Sequence, residues 1–284
     1  MNGGVLICIL SVILIYLAVQ ISIDSNRFKV VTYHIRTGKL SEPVRFVFLS
    51  DLHGKEYDPG NEKLLAKIDE LKPRAILIGG DMITAHPGWD VGNVLTFMEK
   101  LAAKYKIYYG SGNHEQRLFI YPEKYGDTSE RYEAALLEMG VIRLKNETVS
   151  LEDVPVDITG LTVKRRFYKR GRHVEMSADD VVQRVGKPED NGRLKILLAH
   201  NPDFFGAYRQ WGADIVLSGH VHGGIIRLPL LGGVISPKVS LFPKYDGGRF
   251  DEDGRVMIVS RGLGSHTIPL RLWNPGELVE IVLE

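Results

Sequence analysis

Short apolar runs alternate along most of this chain with stretches whose apolar residues return every three or four positions. From Val44, "VRFVFLS" reads as a strand, and "NEKLLAKIDELK" places Leu64, Leu65, Ile68 and Leu71 at helical spacing before Pro73 stops it. "AILIGG" is a strand, "VGNVLTFMEKLAAKY" a helix and "KIYYGSG" a strand. "SERYEAALLEMG" follows as a helix, with Ser129 as its expected cap and Gly140 as its stop. Further on, "LKILLA" and "DIVLSG" are strands flanking a helical "FFGAYRQW". Beyond Ile225, Pro and Gly punctuate the text, and "RVMIVS" and "ELVEIVLE" read as strands with no helix between them. The first two-thirds therefore predicts parallel βαβ units, and the end predicts antiparallel strands closing the sheet. "NRFKVVTYHIRTGKL" predicts an edge strand ahead of them.

One run obeys neither period. Val5 to Ile23, "VLICILSVILIYLAVQISI", holds 19 residues without a charge. As a helix it would be roughly 28 Å long, close to the hydrocarbon core of a bilayer. A cleaved signal peptide calls for a basic start, a shorter apolar core and a small-x-small exit, whereas this run starts "MNGG" and leaves through "AVQIS". A core helix is the other alternative, but nothing polar marks a solvent face. The expectation is a single-pass membrane anchor over residues 1–25 and one globular domain over 26–284. Arg27, Lys29, Arg36 and Lys39 favour a cytoplasmic domain by the positive-inside tendency. The same charges also suit a folded strand, so the side of the membrane stays open.

The strands end alike. "VFLSDLHG" ends in Asp51 and His53, "ILIGGD" in Asp81 and "YYGSGNHE" in Asn113 and His114. "LLAHNPD" ends in His200, and "VLSGHVHGG" in His220 and His222. Ligands of open α/β sheets bind outside the carboxyl ends of strands, so five such ends are expected to converge on one crevice. Asp-x-His and His-x-His place two side chains on the same side of an extended segment. Asp, Asn and His donors suit Mn, Fe or Zn rather than Ca or a thiolate-bound metal. Taken singly, a strand-end Asp or a buried His is usually structural; five in this order are not.

Composition narrows the reading further. Lys and Arg total 36 against 35 acids, a net charge of +1, so there is no global field for gathering nucleic acid and none is expected as a partner. The single cysteine, Cys8, excludes an internal disulfide and a Cys-rich zinc site. No Walker-type phosphate loop is present.

The order D-x-H, G-D, G-N-H, a lone His, then G-H-x-H resembles the calcineurin-like metallophosphoesterases from about Val44 to Glu284. The tail "GHVHGGIIRLPLLG" with "VSRGLGSHTIPLRLWNPGELVEIVL" resembles their bacterial YkuE/YaeI-like branch. Val221 and Ile225 stand where that branch usually has Thr and Gln, and "NPGE" where it has "NPPE"-like text, which puts an outer hydrogen bond and the substrate preference in question. The resemblance implies an α/β fold of two mixed β-sheets packed as a sandwich and flanked by helices. It implies one metal on Asp51, His53 and His222, and a second on Asn113, His200 and His220, with Asp81 bridging. His114 would assist the leaving group or the transition state as the catalytic residue.

These expectations add up to a membrane-anchored hydrolase of phosphate esters, in which a hydroxide shared by two divalent or trivalent cations attacks phosphorus. The substrate expected is a phosphodiester, pyrophosphate or phosphomonoester, possibly lipid-linked, of a lipid or cell-envelope precursor. One alternative is an enzyme of the UDP-2,3-diacylglucosamine pyrophosphatase type. Another is a non-catalytic metal-binding scaffold at the membrane. "KRRFYKRGRH", Lys164 to His173, is expected as a solvated β-hairpin turning at Gly171, with a grip on an anionic headgroup as its functional alternative. Arg227, Arg261 and Arg271 either reach the crevice or serve surface and packing roles. "DEDG" at Asp251 is expected as a turn, since it lacks the ligand spacing of a calcium loop.

Overall fold

The apolar strands are continuous rather than alternating because each is covered on both faces. In Val44–Leu49, Phe46 and Phe48 point into one apolar cluster while Val47 and Leu49 point into another. Ile196 and Leu198 likewise face the first cluster, with Leu197 and Ala199 turned to a third. Such strands belong in the two middle layers of a four-layer stack.

The computed structural model describes residues 3–169, 174–224, 226–228, 231–235, 241–265 and 270–284. In chain order it holds α1 (Gly3–Ser25), β1 (Phe28–Ile35), β2 (Val44–Leu49), α2 (Glu62–Leu71), β3 (Ala75–Ile78), α3 (Gly92–Ala102) and β4 (Lys106–Gly110). Then follow α4 (Asn113–Ile120), α5 (Pro122–Tyr125), α6 (Thr128–Glu138), β5 (Ile142–Leu144), β6 (Glu147–Ser150) and β7 (Val156–Leu161). The chain continues through α7 (Ala178–Val185), β8 (Leu194–Ala199), α8 (Phe205–Trp211) and β9 (Ile215–Ser218). It ends with β10 (Arg227–Leu228), β11 (Gly232–Gly233), β12 (Gly248–Glu252), β13 (Arg255–Val259) and β14 (Gly276–Leu283).

Two six-stranded mixed sheets form, ordered β1-β14-β2-β3-β4-β5 and β12-β13-β9-β8-β7-β6. Their facing sides share the cluster of Phe46, Phe48, Leu77, Ile158, Leu198 and Leu217. Helices α2, α3, α4 and α6 cover the first sheet, and α7 and α8 the second. The sandwich flanked by helices is therefore as expected. β2, β3 and β4 run parallel in one sheet, and β8 and β9 in the other, so each set brings its carboxyl ends to one edge.

Three details differ from the expectations, and a fourth settles an alternative left open. The closing strands do not pair with one another: β13 runs parallel to β9, while β14 crosses to the other sheet, antiparallel to β2 and parallel to β1. The long connection after His222 makes this possible, since a parallel pair requires a crossover. Helix α6 starts at Thr128, whose hydroxyl donates to Tyr125 O, so Ser129 lies inside it. Arg165–Tyr168 forms a 3₁₀ turn rather than a hairpin arm, because Phe167 is buried against the second sheet's outer core; Gly171 lies outside the described residues. Lys29 sits in β1 and Arg27 pairs with the buried Asp24 at 2.7 Å, so these charges serve the fold.

β1 takes the edge position expected of it, and Asp253 and Gly254 form the turn between β12 and β13. Helix α1 is long and apolar enough to cross a membrane, and none of its apolar window is buried, so it is no core helix.

The sheet-to-sheet layer yields a direct test. Phe48→Ala should lower stability by about 3–5 kcal/mol in chemical denaturation. A loss below about 1 kcal/mol would show that this ring does not hold the layers together.

Candidate metal centre

Where β2, β3 and β9 end, the backbone adopts a conformation that side chains ordinarily avoid. Asp51, His53, Asp81, His220 and His222 have φ of 53°, 49°, 54°, 71° and 55°. Each such residue costs of order 1–3 kcal/mol and persists only where its surroundings enforce it. The expected Asp-x-His and His-x-His pairs thus share a side through tight left-handed turns, not through extended strand. Two glycines make the approach possible. A Cβ on Gly112 would overlap the Asp81 carboxylate, and one on Gly219 would overlap that of Asp51.

The turns bring the side chains together as expected. His222 Nε2 lies 3.3 Å from Asp51 Oδ1, and His53 Nε2 lies 3.9 Å from the same oxygen. Asp81 Oδ2 stands between His53 Nε2 at 3.8 Å and His200 Nε2 at 3.1 Å. Three groups of donors are each close enough to hold an ion: Asp51, His53 and His222; His53, Asp81 and His114; and Asp81, His200 and His220. The second contains His114, which the sequence reading kept outside the ligands. Asn113 Oδ1 is buried with no hydrogen-bond partner, the state of a carbonyl awaiting an electropositive ligand. Donor chemistry, enclosure and this unsatisfied oxygen fit cations.

Outer contacts set the proton positions. His200 Nδ1 is 2.8 Å from Gly79 O and His222 Nδ1 is 3.0 Å from Gly264 O. A carbonyl only accepts, so both rings carry a proton on Nδ1 and can offer Nε2 to a cation. His53 Nδ1 meets Thr84 Oγ1 at 3.1 Å. His114 is reversed: its Nδ1 accepts the Ala85 N–H at 2.8 Å, so the neutral ring bears its proton on Nε2. That tautomer donates a hydrogen bond and does not ligate a metal through Nε2. Asp51 accepts the Ser50 hydroxyl at 2.6 Å and the His220 N–H at 3.0 Å, while Asp81 Oδ1 accepts the His114 N–H at 2.7 Å.

Several supporting residues escaped the sequence reading. Glu115 is buried and accepts from the backbone N–H of Asp81 and Met82 at 2.9 Å each, from Gly112 N–H at 3.0 Å and from the Tyr109 hydroxyl at 2.7 Å. It ties the β3 and β4 ends into one unit. Its signal was its place in the first turn of a helix beginning at Asn113, where a carboxylate reaches back to free N–H groups. Asn274 donates to His222 O and Gly224 O at 2.7 Å each. Tyr168 packs edge-on to His220 at 5.0 Å, placing the basic segment beside the site.

Of the three arginines, only Arg271 enters this network. It is buried and donates to Arg261 O, Gly262 O and Gly264 O, fixing the carbonyl that orients His222. Arg227 and Arg261 line a separate cleft. Val221 is buried, while Ile225 lies outside the described residues.

The field is correspondingly strong. Burial pushes the Asp81 carboxyl up to about 7, with His200 pulling it down and Glu115 and Asp51 adding to the rise. Burial alone would lower the His200 pKa, but Asp81 and Asp51 carry it up to about 10. For Asp51, burial opposes ionisation, yet His222 and His200 hold it below its ordinary value.

Residues 44–224 match the calcineurin-like phosphoesterase family, a span containing all eight candidate residues. The chain belongs to that family, and the class is that of metal-dependent phosphoester hydrolases. Among its relatives, the uncharacterized metallophosphoesterase YkuE of Bacillus subtilis is 27% identical over 254 residues, covering 84% of this chain and 79% of YkuE. The phosphodiesterase YaeI of Escherichia coli is 27% identical over 226 residues, covering 78% of this chain and 76% of YaeI. The UDP-2,3-diacylglucosamine pyrophosphatase LpxG of Chlamydia muridarum is 26% identical over 270 residues, covering 83% of this chain and 82% of LpxG. The bacterial branch anticipated from the tail is the one found.

Two outcomes follow from the electrostatics and the Glu115 network. The His200 proton must leave for Nε2 to bind a cation, and its raised pKa keeps it in place until about 10. Affinity for Mn or Zn should therefore climb between pH 6.5 and 8.5, about tenfold per pH unit for each proton displaced. A flat profile in metal titrations would contradict this. Glu115→Ala strands three buried N–H groups at about 1–3 kcal/mol each. It should lower both the melting temperature and the bound metal per chain; unaltered metal content would refute the tie.

Proposed function

We propose that this chain hydrolyses a phosphate ester with a pair of bound cations, Asp51, His53 and His222 holding one and Asn113, His200 and His220 the other, with Asp81 between them. The observation that carries the assignment is the position of Asp81, whose Oδ2 lies 3.8 Å from His53 Nε2 and 3.1 Å from His200 Nε2. Cations at such a pair of sites supply charge for the phosphoryl oxygens and a water activated for in-line attack. Mn, Fe and Zn all suit the donor set.

The chain's own groups do the rest. His114, fixed by Ala85 N–H, presents Nε2–H as a donor, positioned to meet the ester oxygen that departs or the charge that builds on phosphorus. Neutral His114 needs no change of tautomer to do so. Glu115 and Arg271 keep the turns from relaxing, which holds the donors at the separations required.

The membrane reading belongs to the same proposal. Helix α1 serves as a single-pass anchor over residues 1–25, leaving residues 26–284 as the catalytic domain. Anchoring confines the enzyme near a lipid-linked or cell-envelope phosphate ester. The names of YaeI, a phosphodiesterase, and LpxG, a UDP-2,3-diacylglucosamine pyrophosphatase, support that class. LpxG makes the pyrophosphate of a diacylated sugar nucleotide the second reading. The scaffold alternative is disfavoured, since every donor and His114 are present.

An aryl phosphodiester assay with metal analysis tests the assignment. Asp81→Ala should lose both turnover and metal, whereas His114→Ala should keep its metals and lose about 10²–10⁴-fold in kcat. Full activity in metal-free Asp81→Ala would sink the scheme, and metal loss in His114→Ala would move His114 into the ligand set.

A further inference from the structure

A second concave surface lies behind the His222 turn. It is a cleft of about 590 Å³ lined by Arg227, Leu231, Phe242, Lys244, Asp246, Arg261 and neighbouring residues. Three cations face one acid there. Asp246 accepts from Arg227 Nη1 at 2.8 Å and from Gly233 N–H, while Lys244 bonds Glu252 at 2.9 Å. Arg261 is the most loosely held: its Nε is buried with no hydrogen-bond partner, and the Glu277 carboxylate it faces is 4.0 Å away. Burial, and then Arg261, holds the Arg227 guanidinium below its ordinary value, with Asp246 and Glu277 opposing the fall.

The rim of the cleft is apolar and open to solvent. Leu231 and Phe242 line it and are 64% and 58% exposed, and Leu241, next in the chain to Phe242, is 65% exposed. Among the described residues, the other exposed large apolar side chains lie on α1 or at Phe119, Ile120 and Leu137. Phe242 is held in left-handed backbone at φ 47°, as is Trp273, which lines the cleft, at 51°. Apolar side chains beside cations match a bilayer surface, where acyl chains meet anionic phosphates.

The cleft is also tied to the end of α1. Ser25, the last residue of that helix, accepts from Arg271 N–H at 3.3 Å, and Leu272 O accepts from Arg227 N–H at 3.1 Å. Lys29, just beyond the helix, feels the charges of Arg261 and Arg227. An exposed apolar helix and an apolar-rimmed cationic cleft therefore meet within a few residues.

We infer that this cleft seats the phosphate of an anionic phospholipid while Leu231, Leu241 and Phe242 enter the acyl boundary, laying the domain on the bilayer that holds α1. The inference rests on the membrane reading of α1 and does not require turnover. On its other side the cleft touches the site, since Arg227 Nη1 is 3.4 Å from Gly223 O, the residue after His222. A lipid seated there would turn the catalytic crevice's His222 side toward the membrane, where a lipid-linked ester resides.

The test uses full-length chain in vesicles, with an environment-sensitive fluorophore at one cysteine. Native Cys8 reports α1, Phe242→Cys in a Cys8→Ser background reports the rim, and Leu137→Cys in the same background is the exposed control. In phosphatidylglycerol vesicles, nitroxide lipids should quench the label at 242 several-fold more than at 137, and phosphatidylcholine or Lys244→Glu should reduce the difference. Quenching at Cys8 but not at 242 overturns the cleft while sparing the anchor; quenching at neither overturns both. Equal quenching in the two lipids overturns the requirement for an anionic headgroup. A response to soluble glycerol phosphate alone assigns the cleft to a free anion instead of a lipid.

Discussion

The structure depends on one constraint: five donors in the turns after three strands, β2, β3 and β9, are held in left-handed backbone so that their side chains meet those that follow β4 and β8. The summed cost of those conformations is of order 5–15 kcal/mol, comparable to the net stability of a whole domain. Nothing local offsets it. What does is the sandwich beneath, whose two sheets are buried on both faces and so rigid at their edges. Glu115 and Arg271 complete the restraint by occupying the backbone groups that the turns would otherwise leave free.

That arrangement separates the histidines by the backbone group each ring meets. A neutral ring whose Nδ1 faces a carbonyl has its lone pair at Nε2, and the Nδ1 atoms of His200 and His222 both face one. His114 faces an N–H instead and is left as a donor. Its neighbour Asn113 has the reverse problem, an acceptor with no donor. Two adjacent residues at one helix start are thus sorted into different chemical roles by which backbone group each one meets.

Much of this was legible in the sequence, for physical reasons. Strands buried on both faces read as unbroken apolar runs, and the donors stand directly after them, so both the sandwich and the crevice followed from Val44 to Ser218 and the residues just beyond. Pairing at the chain's end did not follow, because "RVMIVS" and "ELVEIVLE" carry no mark of which sheet they join. The basic stretch from Lys164 misled through its charge. One buried ring, Phe167, fixed its conformation. Glu115 and Asn274 were missed because their partners are mainly backbone groups, and for the same reason Arg271 could not be told from Arg227 and Arg261.

The central claim is that Asp81 stands between two cations. Anomalous diffraction from crystals grown with manganese measures this directly. The account predicts two peaks about 3.5–4 Å apart with the Asp81 carboxylate touching both. A single peak, or a pair with Asp81 bound to only one, would contradict it.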